Sequence, residues 1–124
     1  LDITIDYVKE REAFGKKVGQ FQNTRFKIAD VKTQVAVNRA FYEQCANKYA
    51  TDELSTEEAA MLKLASCEMQ CDVADQCLQL FGGYGYTPEY PISRFYVDAR
   101  IQTIYGGTSE IMRELVARSI LGRE

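Results

Sequence analysis

Six residues near the end of the chain, Tyr105-Gly106-Gly107-Thr108-Ser109-Glu110, gather the groups best suited to chemistry. Two adjacent glycines let backbone N–H groups approach a ligand with no Cβ in the way, and Thr108 or Ser109 is placed to cap a following helix. A helix start of this kind favours anionic or electron-rich groups. A second pair, Gly82-Gly83, follows a strongly patterned helical stretch, and taken alone it reads as a helix cap. Cys45, Cys67, Cys71 and Cys77 form no CxxC pair and histidine is absent, so no metal site is expected. The cysteines read as reduced, small apolar residues.

Composition narrows the function classes further. A net charge of −3 with interspersed acids and bases advertises neither a nucleic-acid face nor a polybasic membrane patch. No apolar run approaches the roughly 20 residues of a membrane span, and a soluble protein is expected. At 124 residues one core and one domain, 1–124, are expected. The chain opens at Leu1 inside a patterned segment, as expected for one domain excised from a longer protein.

The elements that must position these residues are mostly helical. Leu1, Ile5 and Val8 fit a helical stripe, while Leu1, Ile3, Ile5 and Tyr7 also alternate as a strand would; helix is preferred because helix formers continue through Ala13. Gly15 and Gly19 are expected to interrupt that helix. A long helix should then run from about Thr24 to Ala50. Its wide apolar face comprises Phe26, Ala29, Ala36 and Ala40 beside Ile28, Val31 and Val35, buried along much of its length. Ser55 and Glu58 have capping-box spacing. The helix they open carries a heptad-type seam of Ala60, Leu64, Cys67, Cys71, Ala74, Leu78 and Phe81. Pro91 suits the first turn of a short helix over Ile92 to Ile101. A final helix should turn Met112, Leu115, Val116 and Ile120 inward and end at Gly122.

Four ordered segments together resemble the C-terminal helical domain of the acyl-CoA dehydrogenases. They are Arg11-Glu12-Ala13-Phe14-Gly15-Lys16 with Phe21-Gln22; Gln79-Leu80-Phe81-Gly82-Gly83-Tyr84-Gly85-Tyr86; Glu89-Tyr90-Pro91 through Asp98-Ala99-Arg100; and Ile104 through Ile111. The loop motifs are closest to the long-chain type. The resemblance implies an all-α, antiparallel four-helix bundle that helps bind FAD and builds a homo-oligomer, a dimer or a dimer of dimers. It implies FAD phosphate or adenosine contacts at Arg11, Phe14 and Gln22, where the planar, permanently charged fork of Arg11 suits a diphosphate. Gln79, Gly82 and Gly83 would meet the adenosine end, and Thr108, Ser109 and Glu110 the flavin side. Tyr105, Gly106 and Gly107 would face the substrate. Most of the neighbouring aromatics, Tyr84, Tyr86, Tyr90, Phe95 and Tyr96, are expected to serve packing in the core or a subunit interface.

The implied reaction removes an α-proton from an acyl-CoA thioester and passes the β-hydrogen to flavin as hydride, giving a trans-2-enoyl-CoA. A base is required. Gly106 occupies the position where many members carry a glutamate. The long-chain and isovaleryl-type enzymes take their glutamate from an earlier helix, which by family spacing lies before Leu1. Gly106 would keep one role, donating its backbone N–H to the thioester carbonyl, helped by a flavin ribityl hydroxyl. Glu110, Glu114 and Asp98 are read as helix-surface or ion-pair residues. Electron-transfer flavoprotein is the implied acceptor, and the bacterial cytoplasm or mitochondrial matrix the implied compartment. The fragment alone is expected to be inactive. A helical oligomerisation module without chemistry, and an acyl-CoA oxidase on the same scaffold, are the alternatives.

Overall fold

Thr4 and Val8, one turn apart, are the buried positions of the opening helix α1 (Asp2–Glu10), which resolves that segment as helix. In the computed structural model, which describes residues 1–122, α1 stops at Glu10 and does not continue through Ala13. Glu12–Ala13 (β1) instead pairs antiparallel with Lys16–Lys17 (β2) across a two-residue turn. Both turn residues have positive φ, Phe14 at 52° and Gly15 at 78°, the conformation that lets a tight hairpin follow the strand twist. Gly15 is thus a hairpin residue and not a break within a helix. Gly19 lies in a 3-10 turn, Val18–Gln20, that leads into α2.

Helix α2 (Gln22–Ala50) buries a narrower stripe than its composition suggests. Thr24, Val31 and Cys45 are buried, with Ile28, Val35, Asn38 and Phe41 half-buried between them, at steps of three or four. Phe26, Ala29, Ala36 and Ala40 face solvent, contrary to the wide buried face expected. The reason is that α2 packs along one neighbour, α3, and a single helix contact covers a single seam.

Helix α3 (Thr56–Phe81) is the centre of the molecule, and α1, α2, α4 (Pro91–Ile101) and α5 (Ser109–Leu121) all pack on it. Its start is the expected capping box: the Ser55 hydroxyl accepts from Glu58 N at 3.1 Å, and Ser55 N donates to the Glu58 carboxylate at 3.2 Å. The expected seam is present, with Ala60, Cys67, Ala74 and Phe81 buried and Leu64, Cys71 and Leu78 half-buried. Cys77, off that seam, is also buried and meets Val31 of α2. All four cysteines are free thiols.

Side-chain pairs give the helix directions. Lys48 with Glu58 and Asn38 with Ser66 run α2 against α3, and Cys71 with Ala99 and Phe81 with Ile92 run α4 against α3. Glu68 with Arg113 runs α5 along α3, so consecutive helices alternate in direction as an antiparallel bundle requires. The core gathers where α1, α2, α3 and α4 converge: Val31, Cys77, Phe81 and Ile92, flanked by Tyr7, Leu78 and Tyr90. Each large apolar side chain fully buried there contributes about 1.5–3 kcal/mol. In α5, Met112 is buried and Leu115 and Val116 half-buried, but Ile120, expected inward, is exposed.

Candidate functional site

The expected contact residues fall into two groups at opposite ends of α3. The first surrounds its C-terminus. Arg11, leaving α1, lines a cleft of about 540 Å³ together with Gln79, Gly82 and Gly83. The Arg11 guanidinium lies 5.1 Å from the centre of the Tyr84 ring, which orients the fork by cation–π contact. Beneath it, Tyr7 stacks on Phe81 at 4.1 Å between ring centres, and Tyr90 meets Phe81 at 5.7 Å and Tyr84 at 5.4 Å. The Tyr7 hydroxyl donates to the Phe81 carbonyl at 3.3 Å, satisfying an orphan acceptor at the helix end. Burial pushes the Tyr7 phenol above its ordinary value, partly offset by Arg11. Phe14 and Gln22 are not among the residues lining this cleft. Phe14 is 96% exposed at the hairpin tip, edge-on to Phe21, and Gln22 is exposed at the start of α2.

The second group lies where α4 hands over to α5, beside Lys63. The Lys63 ammonium donates to the carbonyls of Gln102, at 2.9 Å, and of Gly107. About 27 Å of α3 separates Lys63 from Phe81, at about 1.5 Å per residue. Thr108 caps α5, its hydroxyl accepting from Ile111 N at 3.3 Å. Thr108, Ser109 and Glu110 line a cleft of about 330 Å³ with Arg100 and Arg113 among its other walls. The Ser109 side chain is buried, and its hydroxyl has no hydrogen-bond partner among the described residues. Gly106 has φ 64° with open space around its Cα, and Gly107 has φ 99° with its Cα turned toward Met112. Among the described residues nothing accepts from the Gly106 N–H. A bare donor therefore sits on an exposed turn next to a helix N-terminus, an arrangement suited to a carbonyl or oxyanion.

The acids near this turn are poorly placed as bases. The Glu110 carboxyl is held below the ordinary carboxylate range, first by its own backbone N–H and then by the Thr108 hydroxyl, which makes it a weaker proton acceptor. Glu114 is paired with Arg118 one turn on. Adjoining the cleft is a larger, mostly apolar groove of about 570 Å³, walled by Cys71, Tyr96, Val97, Arg100, Ile101 and Ile104. Of the aromatics expected to pack in the core or an interface, Tyr90 does pack in the core. Tyr84 and Tyr86, in the turn before α4, are exposed in the single chain, as are Phe95 and Tyr96, because α4 turns only one face to α3.

A family profile described as the acyl-CoA dehydrogenase C-terminal domain matches residues 1–121. The chain belongs to that family. Among its relatives, the mitochondrial long-chain specific acyl-CoA dehydrogenase of Sus scrofa is 51% identical over 118 residues, covering 95% of this chain and 27% of that protein. Subunit CarC of the caffeyl-CoA reductase–Etf complex of Acetobacterium woodii is 36% identical over 121 residues, 98% of this chain and 32% of that protein. The butyryl-CoA dehydrogenase structure from Megasphaera elsdenii superposes with a TM-score of 0.92 at 36% identity, over 95% of this chain and 31% of that one. The chain thus spans about a third or less of the acyl-CoA dehydrogenases it matches, and it corresponds to their helical C-terminal part.

Reading the sequence alone passes over two residues that organise these sites. Lys63 interrupts the apolar run Ala59-Ala60-Met61-Leu62-Lys63-Leu64-Ala65, which is the one local sign that its ammonium has an internal task. Tyr84 was expected to pack, and its service to Arg11 has no sequence signal, since the two are brought together only by the docking of α1 on α3.

Proposed function

We propose that this domain completes an FAD-dependent acyl-CoA dehydrogenase, acting as a homo-oligomer, that converts acyl-CoA thioesters to trans-2-enoyl-CoA. The observation that carries this reading is the unpartnered Gly106 N–H on the turn before α5. It would donate to the thioester carbonyl and stabilise the enolate oxygen that develops as the α-proton leaves, an effect worth about 3–4 kcal/mol for one well-placed donor. The cofactor fits the residues present. The unpartnered Ser109 hydroxyl, with Thr108 and Glu110, would meet its flavin side, while Arg11 with Gln79, Gly82 and Gly83 would hold its diphosphate and adenosine end. Phe14 and Gln22 remain in the proposal as outlying contacts. Tyr105, Gly106 and Gly107 border the substrate. Bound flavin would supply acceptance of the β-hydride.

The two contact sets lie at opposite ends of α3, so one chain would serve two cofactors, each completed by a second subunit. No carboxylate on this turn is poised as the base, which agrees with a glutamate supplied by sequence preceding Leu1. Electron-transfer flavoprotein is the proposed acceptor, a reading supported by the Etf complex of the caffeyl-CoA reductase relative. The proposed compartment is the mitochondrial matrix or bacterial cytoplasm.

The full-length protein tests this directly. It should purify yellow, and acyl-CoA should bleach the flavin band without oxygen consumption. Absence of flavin and of bleaching would leave the helical module without chemistry as the answer, and rapid oxygen uptake would make it an oxidase. Replacing the upstream glutamate by glutamine should abolish turnover with flavin retained.

A further inference from the structure

We infer that Lys63 is the positioning residue of the Gln102–Gly107 turn: by gathering the carbonyls at its two ends, it sets the direction in which the Gly106 N–H points. The distances carry this. Lys63 Nζ donates to Gln102 O at 2.9 Å and to Gly107 O, and these are the first and last carbonyls of the turn. Gln102 closes α4, where carbonyls are left without partners and the helix dipole is negative, so a cation there is doubly favoured. The ammonium is half-buried and, among the described residues, forms no salt bridge.

The turn needs such a tether. Gly106 and Gly107, at φ 64° and 99°, are the residues least able to hold their own conformation. Backbone bonds fix its flanks, Ile104 N and Tyr105 N to Ile101 O and Ser109 N to Thr103 O. The Gly107 carbonyl is secured from α3 by Lys63, a full helix away in sequence. Because the ammonium reaches backbone oxygens, its effect on a substrate would pass through the Gly106 amide.

The consequence for turnover rests on the proposed dehydrogenase reading, and the test separates the two. In the full-length protein, Lys63→Met keeps the aliphatic stem and removes the donor. Hydrogen–deuterium exchange should quicken at the bonded Ile104, Tyr105 and Ser109 amides and stay unchanged at 82–86. The value of kcat should fall about 10- to 100-fold with flavin content unchanged and KM altered less. Lys63→Arg, which keeps two donors, should recover part of both. Unchanged exchange at those three amides overturns the tether, and quickened exchange with wild-type kcat overturns its role in turnover. Should Lys63→Met fail to fold, the same two comparisons apply to Lys63→Gln, whose shorter side chain carries a neutral amide in place of the ammonium. A wild-type protein without flavin or turnover defeats the dehydrogenase reading, and the exchange data then still decide the tether.

Discussion

Each end of α3 presents a glycine pair to solvent, and the two are held in different ways. At the C-terminal end, Gly82-Gly83 rides on interlocked aromatic rings contributed by α1, α3 and the segment between α3 and α4: Tyr7, Phe81, Tyr84 and Tyr90. The support is apolar, shared among many atoms and continuous with the core. At the other end, Gly106-Gly107 is secured by a few directed bonds, from Lys63, the Thr108 cap and the backbone around Thr103. Packing of many weak contacts degrades gradually, whereas a polar tether is lost with one atom. The first design suits a rigid seat for a large cofactor fragment. The second leaves a backbone donor bare and aimed, as carbonyl chemistry needs.

Several substitutions would break or sharpen that contrast. The largest effect should come from Phe81→Ala, which opens the aromatic cluster and should cost about 3–5 kcal/mol in chemical denaturation. A loss under about 1 kcal/mol would mean that the rings at this end do not carry the fold. Next comes Gly107→Ala, expected to cost about 1–2 kcal/mol, because φ of 99° strains any Cβ; the clash at 2.5 Å with Met112 Cε adds little, since that methyl can move. An unchanged midpoint would show that the turn is looser than described. Thr108→Ala removes the α5 cap and should cost about 1 kcal/mol, and circular dichroism should show a small loss of helix, with faster amide exchange confined to the last element.

The smallest effects are in pH, and they have opposite signs at the two ends. Glu110 is shifted down, so its contribution is present above the ordinary carboxylate range and is lost as pH falls through its folded value. Tyr7 is shifted up by burial, so its contribution is present below the ordinary tyrosine value of about 10 and is lost as pH rises through its folded value. Glu58, held down chiefly by Lys48, adds to the acid side at the α2–α3 hairpin. Melting of Glu110→Gln against wild type below about pH 5 should show a smaller acid loss in the variant. Absorbance of phenolate should report Tyr7 ionising late. Equal acid sensitivity in the two proteins would remove Glu110 from the account.

Much of the helical plan was legible because it is written locally. The Ser55 and Glu58 capping box, the seven-residue seam of α3, Pro91 at the first turn of α4 and the Thr108 cap all depend on neighbours within one or two turns. Sequence pattern and structure part where a second element decides the outcome. Helix α1 ends at Glu10 because the helix formers in Arg11-Glu12-Ala13 yield to the Phe14-Gly15 hairpin. The Phe26 and Ala29 stripe is exposed: apolar periodicity shows which face could be buried, while only packing decides whether a neighbour covers it.

The site divides along the same line. Its residue types, from Arg11 to the Thr108-Ser109-Glu110 helix start, and its lack of a carboxylate at Gly106 are properties of the chain's covalent order, and family membership follows from them. That Arg11 stacks on Tyr84, that Lys63 ties Gln102 to Gly107, and that the two contact sets stand at opposite ends of one helix are decided by tertiary structure. The physical reason is that a hydrogen bond or a stacked ring depends on distances of a few ångströms between residues about 40 to 70 positions apart, and such distances exist only once α1, α4 and α5 have docked on α3.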